Sequence, residues 1–372
     1  MQKKLIALAV AGLMSGAAFA QTSVTLGGKF DACYSFTRTG YQAGKTTEAL
    51  TDGCNSSSRI TIGAKETIAP GYDVRVDYDV RFGNVHEGKS GVASNDKKAM
   101  AFTTPAGTLQ WGTANLVSNE YKLVEKPYMV TPKDTELVKF GVSQLREESL
   151  TSRNTSYWSP VLSAGPVKGL VKASFATGDN RKTANSADTN IYGSGDAYSV
   201  GVEAVVLDGL LDFDHDYTRR STSGLSSGGA GGMIYTHTYV SLRPLPSRNL
   251  KISASFNTYR GYNPTVVTDI FKEKNTNFVV SYNFDGKAEV GLGISHLNDL
   301  GASRNSGRAI MLGGSYFLSK SVQLYAGVAK TNFDYDQGTI SGGKYTGTGT
   351  NFVGNISKQD SRVVKVGIMK EF

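Results

Sequence analysis

Beyond its first twenty positions, this chain of 372 residues has no long apolar run. Nothing there approaches the ~18 consecutive apolar residues that a transmembrane helix needs, so any membrane span has to be a strand. Proline is scarce at 9, histidine at 4 and cysteine at 2. His86, His215, His237 and His296 are scattered, without the i, i+4 or Cys-x-x-Cys spacing that converges ligands on a metal. No Gly-x-Ser-x-Gly elbow is present to expose a serine nucleophile. The glycine-rich run Ser226–Gly232 is not followed by Gly-Lys-Ser/Thr, so it reads as a flexible loop and not as a phosphate cradle. Catalysis and metal chemistry find no foothold, and no cofactor is expected.

The first twenty residues run from Lys3 and Lys4 through an apolar stretch to Ala18-Phe19-Ala20, the pattern of an export signal with its cleavage site. Residues 1–20 are therefore read as a signal peptide and 21–372 as a single domain. Loss of Lys3 and Lys4 lowers the formal charge from +8 to +6. The basic residues form no stripe, and export removes the chain from polynucleotides, so nucleic acid is not an expected partner. Cys33 and Cys54 are bound for an oxidising compartment and can pair there. Closing a loop of about twenty residues would contribute roughly 3 kcal/mol; two free, buried thiols are the alternative.

Glycine (43), tyrosine (19) and phenylalanine (16) are abundant, which suits strands, tight turns and aromatic girdles. Alternation with a period of two recurs to the end of the chain. In 72–82, Tyr72, Val74, Val76, Tyr78, Val80 and Phe82 oppose Asp73, Arg75, Asp77, Asp79 and Arg81. In 211–217, Leu211, Phe213 and Tyr217 oppose Asp212, Asp214 and Asp216. Sixteen strands are expected, near 22–36, 57–66, 71–83, 97–104, 107–114, 152–158, 168–177, 196–206, 209–218, 234–243, 249–257, 275–284, 287–297, 307–317, 321–331 and 361–372. Alternation alone does not separate a soluble sandwich from a membrane barrel, but connections do. Long ones (37–56, 84–96, 115–151, 178–195, 219–233, 258–274, 298–306, 332–360) take turns with short ones such as Pro105-Ala106, Leu207-Asp208 and Asp285-Gly286. An even strand number with short turns on one rim and long loops on the other predicts an all-β fold, a 16-stranded antiparallel transmembrane β-barrel with long extracellular loops.

Four stretches carry a family resemblance: the start through QTSVTLGGKFDA, SSRITIGAKE at 57–66, RNTSYWSP at 153–160, and the terminal Phe372 after VKVGIMKE. Together they resemble the Gram-negative general porins of the neisserial and β-proteobacterial type. The resemblance implies a homotrimer, a third extracellular loop folded into the lumen as a constriction, and a terminal aromatic recognised by the barrel-assembly machinery. The sequence departs from that pattern at Ser156-Tyr157, where many relatives carry an arginine, and in the third loop, which lacks the family's acidic phrase.

Parity puts Lys29, Arg59, Lys65, Arg75, Arg81 and Lys172 on the lumen face, together with Asp31, Asp73, Asp77, Asp79, Asp212, Asp214 and Asp216. A constriction of the family's kind sets a basic wall against carboxylates on the loop, which implies Arg59, Arg75, Arg153, Lys29 and Arg81 against Asp134 and Glu136. An outward Tyr157 would turn Arg153 to lipid unless a bulge intervenes. For each of these residues, a merely solvated charge on a wet face is the competing reading. Trp111, Tyr157 and Tyr316 are candidate girdle residues. The expected function is a passive, water-filled channel for ions and small hydrophilic solutes, with a weak anion preference from the +6 charge that the acidic rows can reverse. Its expected partners are further copies of the chain, outer-membrane lipid and lipopolysaccharide. A substrate-selective channel and, further off, an outer-membrane barrel enzyme are the alternatives.

Overall fold

A computed structural model describes residues 22–39, 46–52, 58–81, 94–114, 123–124, 151–177, 197–226, 229–244, 249–263, 268–299, 306–334 and 358–372. Eighteen strand segments make one antiparallel sheet. They are β1 (Thr22–Thr39), β2 (Thr46–Asp52), β3 (Arg59–Ala69), β4 (Tyr72–Arg81), β5 (Ser94–Thr104) and β6 (Gly107–Ala114). After these come β7 (Thr151–Trp158), β8 (Leu162–Ala164), β9 (Val167–Ala176), β10 (Ala197–Val206), β11 (Leu211–Ser226) and β12 (Gly229–Leu242). The last six are β13 (Leu250–Asn263), β14 (Thr268–Phe284), β15 (Ala288–Asp299), β16 (Ser306–Ser319), β17 (Val322–Asp334) and β18 (Lys358–Glu371).

The sheet closes because β1 pairs with β18 along Lys29–Thr39 and with β3 along Thr22–Lys29. β2 continues the line of β3 beside β1, and β8 continues that of β7 beside β9. The eighteen segments therefore form sixteen staves, the number expected. At the seam the Phe372 amide donates to the Gly28 carbonyl at 3.1 Å, and the Gly28 amide donates to the Phe372 carbonyl at 2.9 Å. Closure leaves no sheet edge, as hydrocarbon requires of a spanning strand.

On each stave, alternate residues point outward, and the outward set is apolar and exposed. Val24, Leu26 and Phe30 on β1, Leu292 and Ile294 on β15, and Val364, Val366 and Ile368 on β18 are examples. Monomers in water rarely leave apolar patches larger than a few hundred Å² exposed. At about 25 cal/mol per Å², a band of this extent needs a hydrocarbon solvent. Aromatics gather toward the short-turn rim, where Tyr72 lies 6.3 Å from Phe102 and Tyr282 4.8 Å from Phe284. Trp111 sits on the outward parity of β6, and Tyr157 and Tyr316 are outward and exposed; the Tyr157 hydroxyl donates to the Ala106 carbonyl at 2.7 Å. The short turn Asp285-Gly286-Lys287 joins Phe284 to its partner Ala288 and has φ of 52° and 73° at Asp285 and Gly286, left-handed backbone that Asp and Gly tolerate.

Three expectations about connections are corrected. Much of 219–233 and 258–274, read as loops, is paired strand: β11 reaches Ser226 and β14 starts at Thr268. Residues 221–232 are Ser, Thr and Gly apart from Leu225 and Ala230, and 268–274 mix charged and apolar residues, so neither stretch carries a period-two alternation to read. Likewise 37–56 holds β2, whose pairing with β1 survives an interruption of the stave.

Candidate pore lining

The inward face carries charge on two separate walls. Lys29, Arg59 and Arg81 occupy one pairing row across β1, β3 and β4, so three cations stand side by side over the lumen. Asp79 meets Arg59 at 3.5 Å, and Asp77 receives Arg75 at 3.0 Å and Lys97 at 3.4 Å. Arg75 belongs to a different level. It pairs in register with Lys65, six residues along β4 from Arg81, or about 20 Å at ~3.4 Å per residue. Lys65 there binds Asp73 at 3.0 Å. Lys29, Arg59 and Arg81 are thus brought together, and Arg75 sits nearer the short-turn rim.

Arg153 falls where the β6–β7 register slips, between Gly112/Asn154 and Ala114/Thr151; its side chain lies outside the described residues, as do Asp134 and Glu136. No free cysteine occurs among the described residues. Cys33 is buried against Tyr325, and Cys54 lies outside them. Tyr325 donates its hydroxyl to Asp31, whose amide in turn donates to Ser58 Oγ at 3.0 Å.

The second wall was only half foreseen. Lys172 on β9 is fully buried, its Nζ 2.6 Å from Glu203 Oε1, 3.2 Å from Asp216 and 3.7 Å from Asp214. Parity identified Lys172 and the aspartates but missed Glu203, the one acid on an inward face whose other residues are Ala197, Ser199, Gly201 and Val205. Its other oxygen, Oε2, accepts the backbone amides of Leu123 and Val124, the latter at 2.8 Å. These two residues belong to the long connection after β6, so a piece of that connection is held against the inner wall by one carboxylate.

A glycine makes this cluster possible. Gly201 is the register neighbour of both Lys172 and Asp216. A Cβ at this position would meet Asp216 Oδ1 at 2.0 Å and Lys172 Cε at 3.0 Å, so the bare backbone lets the lysine lie flat across β10. Gly201→Val is expected to part the pair and lower the unfolding free energy by about 1–3 kcal/mol, the usual cost of overpacking; a urea titration followed by tryptophan fluorescence in detergent would measure it, and an unchanged midpoint would remove Gly201 from the argument.

Sixteen staves place opposite walls eight apart. Counting from β1, the stave facing it is β11, the one facing β3 is β12, and the one facing β4 is β13. The Lys29–Arg59–Arg81 row therefore looks across the lumen toward the side that carries Asp212, Asp214 and Asp216. The two walls differ in access to water. Lys65 and Arg75 side chains are 52% and 47% exposed and Arg59 23%, whereas Glu203, Asp214 and Asp216 are sealed at 1% or less. A barrel of this stave number encloses an aqueous channel, and its lining charges set the field that a solute crosses.

Comparison with known proteins agrees with this geometry. No curated protein matches the sequence. Among solved structures, the anion-selective porin from Comamonas acidovorans is 17% identical, with 95% of this chain and 100% of that one covered and a TM-score of 0.72. The trimer form of OmpT from Vibrio cholerae is 13% identical (94% and 99% covered, TM-score 0.64), and Salmonella typhi OmpF with daunomycin is 14% identical (94% and 97% covered, TM-score 0.61). At such identities the likeness is one of fold. A family model described as Gram-negative porin matches residues 7–338. With that match across most of its length, the chain belongs to the Gram-negative porin family, the outer-membrane β-barrels that let ions and small hydrophilic solutes diffuse passively.

Proposed function

We propose that this porin is a homotrimeric, weakly anion-preferring diffusion channel without catalytic turnover, exported on residues 1–20 and stapled by a Cys33–Cys54 disulfide. The observation that carries the selectivity is the unequal exposure of the two walls. The lumen cations of β3 and β4 meet water directly, while Glu203 of β10 and Asp214 and Asp216 of β11 are sealed and share Lys172. Charges in water act on a passing ion, and buried ones are compensated locally. The net charge of +6 without Lys3 and Lys4 has the same sign, and the solved Comamonas relative is an anion-selective porin. Trimerisation accords with the trimeric Vibrio OmpT. The loop segment tied to Glu203 supports an infolded third connection, with Arg59, Arg81 and Lys29, and at another level Arg75, as wall residues; Arg153, Asp134 and Glu136 stay candidates for the same constriction.

Planar-bilayer recording of the detergent-purified protein under a tenfold KCl gradient tests this. Openings in groups of three with a reversal potential of anion sign are the expected result. A folded, inserted barrel that does not conduct would overturn the proposal. Reduction is expected to lower stability by roughly 3 kcal/mol if Cys33 is paired, read as a shift of the unfolding midpoint with and without dithiothreitol.

A further inference from the structure

Two adjacent lysines on β5 serve opposite sides of the wall. Lys98 turns outward, its Nζ 5.4 Å from the centre of the Tyr78 ring, and Lys97 turns inward, its Nζ 3.4 Å from Asp77 Oδ2. Opposite faces for consecutive residues are the rule on a strand, but the level of Lys97 is set by an irregularity. Asp79 pairs with Lys97 and Val80 with Asn95, so Asp96 has no residue opposite it. That is the extra residue of a β-bulge, a device that re-aims a side chain. Lys97 thereby stands in register with Asp79, two residues along β4 from Arg81 and its row. From there it reaches diagonally to Asp77, which Arg75 also holds at 3.0 Å, while Arg59 holds Asp79 at 3.5 Å. Among the described inward side chains of β3, β4 and β5, five cations (Arg59, Lys65, Arg75, Arg81 and Lys97) stand against three carboxylates (Asp73, Asp77 and Asp79). The excess of two would fall to one without Lys97.

We propose that Lys97 is a selectivity-determining residue of this channel: by occupying Asp77 it leaves the Lys29–Arg59–Arg81 row, and not the wall's own acids, to act on a passing anion. The inference rests on the anion-preferring reading above. Without Lys97, Asp77 and Asp79 depend on Arg75 and Arg59 alone, and Arg59 belongs to the row. An acid that competes for Arg59 both weakens the row and presents its own charge to the lumen. The Lys97 side chain is only 17% exposed, so electrolyte screens its contact with Asp77 less than it screens a surface pair. Lys98 supplies a control within the same strand, because it carries the same charge one residue away on the other side of the wall.

The test is the reversal potential of the full-length protein in planar bilayers under a tenfold KCl gradient, for wild type, K97Q, K97R, K98Q and D77N. K97Q is expected to cut the chloride-to-potassium permeability ratio to roughly half, and K97R to keep the wild-type ratio. K98Q removes the same charge outside the lumen and is expected to leave the ratio unchanged, whereas D77N is expected to raise it. A K97Q channel with the wild-type ratio overturns the proposal, because the contact with Asp77 would then be structural only. Equal shifts in K97Q and K98Q also overturn it, since net charge and not position would then decide. Compact mobility on an unheated gel confirms that each variant is folded. Should K97Q fail to insert, D77N decides, and an unmoved ratio there overturns the proposal. A wild type that reverses with cation sign overturns the anion reading instead; the role of Lys97 then stands or falls on whether K97Q moves the potential further toward cations than K98Q does.

Discussion

Lys172→Met is expected to destabilise the barrel by about 3–5 kcal/mol, the cost of removing one partner from a buried ionic group. Methionine nearly preserves the volume, so the loss isolates the charge. Without the ammonium, Glu203, Asp214 and Asp216 face one another at 1% exposure or less with their central cation gone. The effect reads out as a lower urea midpoint in detergent, and for a marginal barrel as failure to reach the compact form on an unheated gel. Glu203→Gln is expected to be milder, because Lys172 keeps two aspartates, but it weakens the acceptor for the Leu123 and Val124 amides. Its signature is noisier or larger single-channel conductance at a nearly unchanged midpoint. A Lys172→Met protein as stable as wild type would mean that the cluster is neutral as folded, and the whole account of this wall would fall.

Replacing Lys29, Arg59 and Arg81 together by glutamate is expected to switch the reversal potential from anion to cation sign. The three residues share one row, so the change is concentrated at one level of the channel and amounts to six units of charge. The corresponding glutamine variant is expected to move the potential in the same direction by less, and it serves if the glutamate version does not insert. Arg75→Glu, about 20 Å away along the wall by the rise per residue, is expected to lower conductance more than it alters selectivity. Should the glutamate and glutamine variants keep the wild-type potential, selectivity would reside elsewhere, and the assignment of this row to the constriction would be wrong.

The staves were legible because lipid on one side and water on the other impose a strict alternation. In 72–82 and 211–217 the inner and outer residues could be assigned one by one from the sequence, and the structure keeps the alternation over 72–81 and 211–217; Phe82 lies outside the described residues. Legibility ends where that contrast ends. Residues 221–232 and 268–274, in β11, β12 and β14, lack that alternation in their sequence, so their pairing left no periodic trace. Glu203 illustrates a different limit: it was not among the inward residues read from the sequence, and nothing local indicated that a lysine from β9 would cross Gly201 to reach it, or that backbone from eighty residues earlier would lie on its other oxygen (|i−j| of 80 and 79). Arg59 and Arg75 were grouped because both are inward. Their separation depends on register, which a single sequence does not fix.

The seam between Gly28 and Phe372 bears on how such a chain folds in time. Most neighbouring staves are hairpin partners and meet by closing short loops, whereas this contact joins residues 344 apart (372 − 28). Loop-closure entropy rises only slowly with length, yet contacts of high sequence separation dominate folding rates. Until the last stave docks on the first, both are edge strands whose unpaired amides and carbonyls invite other chains. The barrel is thus most prone to aggregation just before completion, and the rate of that final docking decides how much protein reaches the membrane.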